Sequence, residues 1–263
     1  MTPVRLERPA AHQSWGRVLS ALMFRELLMR FGVYRLGLLW ALIEPAAHVG
    51  VLLLIFGSAA RSVLPVEQVI PFAFIGVSAY LTFRSGVERA GGSLESSRAL
   101  LSFRQVTPAA MVLARSLVEQ LTLTAVLAGG LAILSASVGL PWVNPTLFFA
   151  AFACLSLLVW GCGLMVAVAV SFFPSIRKVI GFAMRGLYLV SGVLFPLTAL
   201  PRQWAEALSW NPLLQAIEMM REGVLGRPSH PSVSLAFLAL CAVASVFLGL
   251  ALMRVLHRQL EPA

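Results

Sequence analysis

The chain has 263 residues, of which 59% are apolar and only 12% charged, too little polar surface to enclose a water-soluble globule. Its formal net charge is +9, from 19 Arg and one Lys against 11 Glu, with no Asp anywhere. A soluble protein is excluded, and so are the many active sites built on Asp.

Residues 1–35 read as a basic, polar tail followed by a helix from Trp15 to Phe31, where good helix formers dominate. Glu26 precedes Arg30 by four residues, the favourable order for a surface pair. No apolar core of a signal peptide precedes the first span, so this segment is expected to stay in the cytoplasm. Arg17, Arg25, Glu26 and Arg30 spread around the helical wheel, so amphipathicity alone does not establish the expected helix on the lipid surface.

A hydrocarbon layer about 30 Å thick takes roughly 20 apolar residues as a helix, and six segments within 36–253 meet or approach that length. They run from Leu36 to Phe56, Val69 to Phe83, within Pro108 to Leu140, Leu147 to Phe173, Val179 to Leu200 and Ser232 to Met253. The second is short and needs bilayer thinning, snorkelling or help from neighbours. Between the second and third, residues 84–107 alternate charge with small residues and read as a connector carrying a short helix across the membrane face. Between the fifth and sixth, residues 201–231 are too long for a tight turn. There Asn211 and Pro212 start a short apolar helix that ends near Gly223 and is expected to dip back into the outer leaflet. The expected fold is an all-α membrane protein with six transmembrane helices, an N-terminal interfacial helix, a short outer re-entrant helical segment and a C-terminal tail over 254–263.

Six spans place both termini on one side. If that side is the cytoplasm it holds 16 of the 20 cations, leaving only Arg61, Arg202, Arg221 and Arg227 outside, as the positive-inside rule requires. Trp142, Trp204 and Trp210 then fall at the outer boundary, while Trp15 and Trp40 approach the inner one. The positive charge thus follows topology and implies no nucleic-acid partner.

An ionisable group at the centre of a span costs roughly 2.5 to 3.5 kcal/mol on insertion scales, which makes each one a functional candidate. Glu44 and His48 share one face of the first span with Pro45 between them; they read either as a structural pair at a helix contact or as a proton relay. Arg115 and Glu119 have the same spacing and are expected to neutralise each other near the inner head groups. Arg185 either snorkels toward the cytoplasmic surface or lies on the path of an anionic substrate. A long hydrophilic polymer slides best over many weak contacts, and aromatic faces stack on sugar rings without fixing register. Tyr80, Phe83, Trp160, Tyr188 and Phe195 are candidates for that role, against a plainer reading as lipid-facing or core residues. Lys178, the single Lys, follows no phosphate-cradling Gly-rich loop, and none of His12, His48, His230 and His257 opens an HExxH zinc motif. No ATP hydrolysis by this chain alone and no resident cofactor or metal are expected. Cys154, Cys162 and Cys241 sit in apolar runs and read as small core residues.

The run RELLMRFGVYRLGLLWALIEPAAH, Arg25 to His48, resembles the opening of ABC-2 type permeases that export capsular polysaccharide. Glu95 to Arg115, ESSRALLSFRQVTPAAMVLAR, is similar to the family's cytoplasmic stretch, with its RALL and FRQV elements followed by Pro; Ser97 stands where relatives are expected to carry Asn. LSWNPLLQAIEMMREGVLG, Leu208 to Gly226, resembles its NP-containing outer segment.

The resemblance implies a permease homodimer in a Gram-negative inner membrane, coupled to a separate ATPase subunit that holds ATP and Mg. Glu88, Arg89, Glu95 and Arg98 would then dock on the ATPase, with Arg25 and Glu26 at the same interface. The channel would be framed by spans one and five of both copies, with the Pro212 to Glu222 helix shaping the exit. The substrate would be a lipid-linked anionic polysaccharide, with Arg30, Arg35 and Arg185 facing its phosphate or sugar acids and Glu44, His48, Tyr80, Trp160, Tyr188 and Phe195 as further path candidates. A periplasmic co-polymerase and an outer-membrane conduit would be partners. The alternatives are a permease for O-antigen or teichoic-acid-like polymers, and an intramembrane enzyme acting on lipid-linked sugars; the missing Asp weighs against the enzyme.

Overall fold

A computed structural model describes residues 11–31, 43, 46–52, 54–55, 65–97, 99–100, 103 and 105–260. Nine helices are delimited among them: α1 (Ala11–Phe31), α2 (Val66–Gly91), α3 (Ser93–Ser96), α4 (Pro108–Val138), α5 (Pro145–Phe172), α6 (Ile176–Val190), α7 (Arg202–Leu208), α8 (Pro212–Leu225) and α9 (Leu235–Leu260). No strand occurs among the described residues. α2, α4, α5 and α9 are long and apolar enough to cross a membrane. Of the expected first span, residues 43, 46–52 and 54–55 are described, all of them helical.

Three helices start with one device, a polar cap followed by Pro. Thr107 Oγ1 accepts from the Ala110 amide at 3.2 Å, Asn144 Oδ1 from Leu147 at 3.1 Å and Asn211 Oδ1 from Leu213 at 3.0 Å. Each side chain satisfies an amide that has no partner within its helix, and Pro in the first turn has no such amide to leave exposed.

α2 and α5 form the centre. α5 lies against α9 on one side and α2 on another, while α2 also meets α4 and α8. The surroundings of α2 explain why its apolar run is too short for a lone span. It is largely enclosed by protein, so Pro71, Ser78, Tyr80 and Thr82 are buried against neighbours rather than lipid.

A close backbone approach joins α5 to α9. A Cβ added at Gly161 would lie 2.4 Å from the Ser245 carbonyl carbon and 2.5 Å from the Val246 nitrogen; one at Gly249 would lie 2.8 Å from the Gly161 oxygen. Lipid tails are as apolar as the helices, so small residues that let backbones approach are what favour contact there.

α1 has two apolar faces. Leu22 is buried, and Val18, Leu19 and Met23 pack with it toward a cluster containing Ala110, Met111, Ala114 and Met253. Trp15, Phe24, Leu28 and Met29 are exposed elsewhere on the same helix. This arrangement removes the sharp polar face sought in the sequence.

Two expected boundaries change. Residues 84–91 belong to the last turns of α2, so the connector to α4 begins at Gly92 and carries only the short α3. The run expected as a fifth span is a 15-residue helix, α6, followed by a turn at Gly192 (φ 67°) and a 3-10 turn at Leu197–Ala199. The backbone there turns to pack against α8 instead of continuing as helix.

Replacing Gly249 by Leu inserts side-chain atoms where backbone already sits and is expected to cost about 1–3 kcal/mol or more. Detergent-solubilised protein should show a lower unfolding midpoint by fluorescence-detected size exclusion, with Gly249→Ala intermediate. An unchanged midpoint for the Leu variant would disprove the contact.

Candidate functional site

At the end of the bundle that carries α1, charged side chains join α1, α2 and α4. Glu119 of α4 is buried and receives both Arg30 of α1 and Arg89 of α2, the latter at 2.8 Å. Glu26 of α1 meets Arg115 of α4 at 3.6 Å and its neighbour Arg25 at 3.9 Å. Arg115 also donates to the Gly92 carbonyl at 3.4 Å, and Arg25 to the Ser97 hydroxyl at 3.3 Å. Around these groups lies a recess of about 160 Å3, lined by Glu26, Arg30, Arg89, Arg115 and Glu119 together with apolar side chains.

The pairs Arg115–Glu26 and Arg30–Glu119 therefore run between helices, which spacing along one helix does not predict. A buried carboxylate gains more between two guanidinium groups in low dielectric than beside one on an exposed face. Beyond this cluster Arg177, at the start of α6, donates to Glu95 of α3 at 2.6 Å. Arg84 meets Glu88 at 3.2 Å on α2.

Midway along the bundle the structure brings together two aromatic candidates, Tyr80 and Tyr188, with His48, named for its spacing from Glu44. Tyr188 lies edge-on to Tyr80 with ring centroids 4.7 Å apart, and its ring is 5.3 Å from His48. The Tyr80 hydroxyl donates to the Met184 carbonyl at 2.7 Å, pinning α2 to α6. The Tyr188 hydroxyl and Trp160 Nε1 are buried with no hydrogen-bond partner among the described residues. Phe83 is buried in the core, Phe195 is partly buried and Arg185 is exposed. Arg35, Glu44 and Arg98 lie outside the described residues.

At the opposite end sits a cation that the sequence reading placed in an outer loop. Arg221 of α8 is 3% exposed. It donates through Nε to the Phe72 carbonyl at 3.1 Å, through Nη1 to Gly192 at 2.7 Å and through Nη2 to Val193 at 3.0 Å. Nη1 also meets Glu218 Oε1 at 3.3 Å, and the guanidinium carbon lies 3.4 Å from the centroid of Phe72. Gly76 leaves the space, since any Cβ there would fall on the guanidinium. Glu218 and Arg221, three apart within a largely apolar helix, were the available sequence signal for a buried pair.

The ABC-2 type transporter family model matches residues 17–225. The chain is 35% identical over 238 residues to the polysialic acid transport protein KpsM of Escherichia coli, covering 89% of this chain and 92% of that protein. It is 26% identical to the capsule polysaccharide export inner-membrane protein BexB of Haemophilus influenzae, over 94% of both chains. The corresponding protein CtrC of Neisseria meningitidis serogroup B is 25% identical, over 94% of this chain and 93% of the relative.

Replacing Glu119 by Ala leaves two guanidinium groups without their shared anion and is expected to weaken the seating of α1 by about 2–3 kcal/mol, below the full buried-pair range because Arg89 is half exposed. In membrane vesicles the variant should be clipped within residues 11–31 at protease levels that spare the wild type. An unaltered digestion pattern would show that α1 is held by its apolar face alone.

Proposed function

This chain belongs to the ABC-2 type transporter family, and we propose that it is the membrane permease of an exporter moving capsular polysaccharide across a bacterial inner membrane. The similarity to KpsM along nearly the whole chain carries this reading, supported by the more distant likeness to BexB and CtrC. The protein is a multi-pass membrane protein and a transport subunit. Its energy comes from ATP, with Mg, bound in a separate ATPase subunit; the lack of a phosphate loop in this sequence supports that division of labour. The functional unit is a homodimer with two ATPase copies, working with a periplasmic co-polymerase and an outer-membrane conduit. Its substrate is a lipid-linked anionic polysaccharide.

In this reading the chain crosses the membrane six times, with the α1 end and both termini cytoplasmic, as the distribution of cations favours. α8, buried along most of its length, is the re-entrant helix near the exit. The connector from the end of α2 to α4 meets the ATPase through Glu88, Arg89, Glu95 and Arg98, with Arg25 and Glu26 beside them. Polymer passes over His48, Trp160, Tyr188 and Phe195, with the buried Tyr80 backing the Tyr188 ring, while Arg30, Arg35 and Arg185 serve its anionic groups and Glu44 lies on the same path.

Cells deleted for this gene are expected to retain capsular polymer internally while their lipopolysaccharide stays intact, with export restored by the wild-type gene. Truncated O-chains with normal surface capsule would reject the assignment. The coupling role has its own readout. Glu95→Arg sets a cation against Arg177 and should abolish export from a correctly inserted protein. Adding Arg177→Glu restores that ion pair but not an acidic ATPase contact at position 95, so continued loss of export supports docking there, whereas full rescue reduces Glu95 to an internal strap.

A further inference from the structure

Between α4 and α5, toward the end that carries α8, lies a cavity of about 260 Å3 that the proposed polymer path does not use. Its α4 wall runs from Thr124 to Ser135, about 16 Å at the rise of an α-helix. The α5 wall is aromatic, with Phe148, Phe149 and Phe152, and Ala128 and Ala132 leave room opposite. The result is a slot that is long and narrow and follows the helices.

No charged residue lines this slot, and its hydroxyls are already engaged. Thr124 donates to the Gln120 carbonyl at 2.7 Å, and Ser135 accepts from Trp142 Nε1 at 3.1 Å. A sugar or a peptide would find nothing to bond. Trp142 lies at the end where α4 gives way to α5, held at φ 44°, a left-handed value unusual for a bulky side chain. Its bond to Ser135 and its edge contact with Phe148, centroids 5.4 Å apart, fix the ring at the mouth. Ile133 and Phe149 beside the slot are more than half exposed, so its rim continues into an uncharged outer face of spanning helices.

We propose that this slot is a binding site for one acyl chain of a bilayer phospholipid. An apolar cavity of ~150 Å3 already accepts benzene, and this one has more room, drawn out along the direction in which lipid tails run. Trp142 sits at the depth where an indole ring prefers the head-group boundary, so a lipid seated here keeps its polar group beside the ring and its chain between α4 and α5. The site requires only that the protein spans a membrane and is independent of the polymer assigned above.

The test uses full-length protein in polymer-free phosphatidylethanolamine and phosphatidylglycerol vesicles, with a phospholipid carrying a photoactivatable group in its acyl chain. Illumination should label peptides within 124–152 above other lipid-facing peptides. Ala128→Trp, which fills the slot, should reduce that labelling about tenfold, since excluding two methylenes is already worth about that in occupancy. Ala132→Phe provides a milder filling variant if the first fails to fold, and a single phospholipid retained by wild type in native mass spectrometry should be lost from it. Even labelling of all lipid-facing peptides, equal labelling of filled variants, or labelling only after the polymer's own lipid carrier is added would overturn the proposal. Efficient disulfide formation between copies through Ala132→Cys would assign the slot to a second copy and overturn it as well.

Discussion

A guanidinium taken out of water must find acceptors for its N–H groups, and Arg221 finds them on three separate stretches of chain. Phe72 belongs to α2, Gly192 and Val193 to the turn after α6, and Glu218 to the same helix as Arg221. The position of α8, the break after α6 and the side-chain-free patch at Gly76 are consequently one problem with one solution. An ion pair this buried need not stabilise the fold more than well-packed apolar residues of similar size. What it supplies is orientation, because a planar fork with carbonyls on several sides fits in few ways.

The opposite end reverses the signs. There a buried carboxylate, Glu119, is compensated by two cations that approach from different helices. α2 takes part at both ends, offering Arg89 to Glu119 and the Phe72 carbonyl to Arg221. It thereby joins the N-terminal helix to α8 through a rod enclosed by protein for most of its length. In the ATP-driven permease proposed above, such an element is suited to carry a displacement from one end of the bundle to the other.

The parts of the fold that were legible in the sequence are those decided locally. Asn211-Pro212 marks a helix start because a cap acts within a few residues of itself, and in the structure Thr107-Pro108 and Asn144-Pro145 begin α4 and α5 in the same way. Family membership was legible too, in the stretches flanking Arg25, Glu95 and Pro212. Less visible were features set by neighbours. An apolar count stops α2 at Phe83, although an enclosed helix accommodates Arg84 and Glu88 in the same run of turns. The segment from Val179 to Leu200 satisfies the composition of a span, and composition carries no information about the left-handed backbone at Gly192. Arg115 and Glu119 were paired by the geometry of an isolated helix, whereas α1 and α2 approach from either side with partners of their own. Tyr80 and Tyr188 could be named by residue type and His48 by its spacing from Glu44; that their rings meet depends on packing between helices more than a hundred residues apart in sequence.

The salt bridge between Arg30 and Glu119 spans 89 positions of the chain. During synthesis Arg30 therefore leaves the ribosome well before its anion exists, and α2 must be threaded in between. Over that interval the exposed Phe24 and Leu28 give the nascent helix an oily side to rest on the bilayer, with its cations among lipid head groups. The arrival of α4 then exchanges phosphate for carboxylate, so the last step in seating the N-terminus waits on a residue near the middle of the polypeptide.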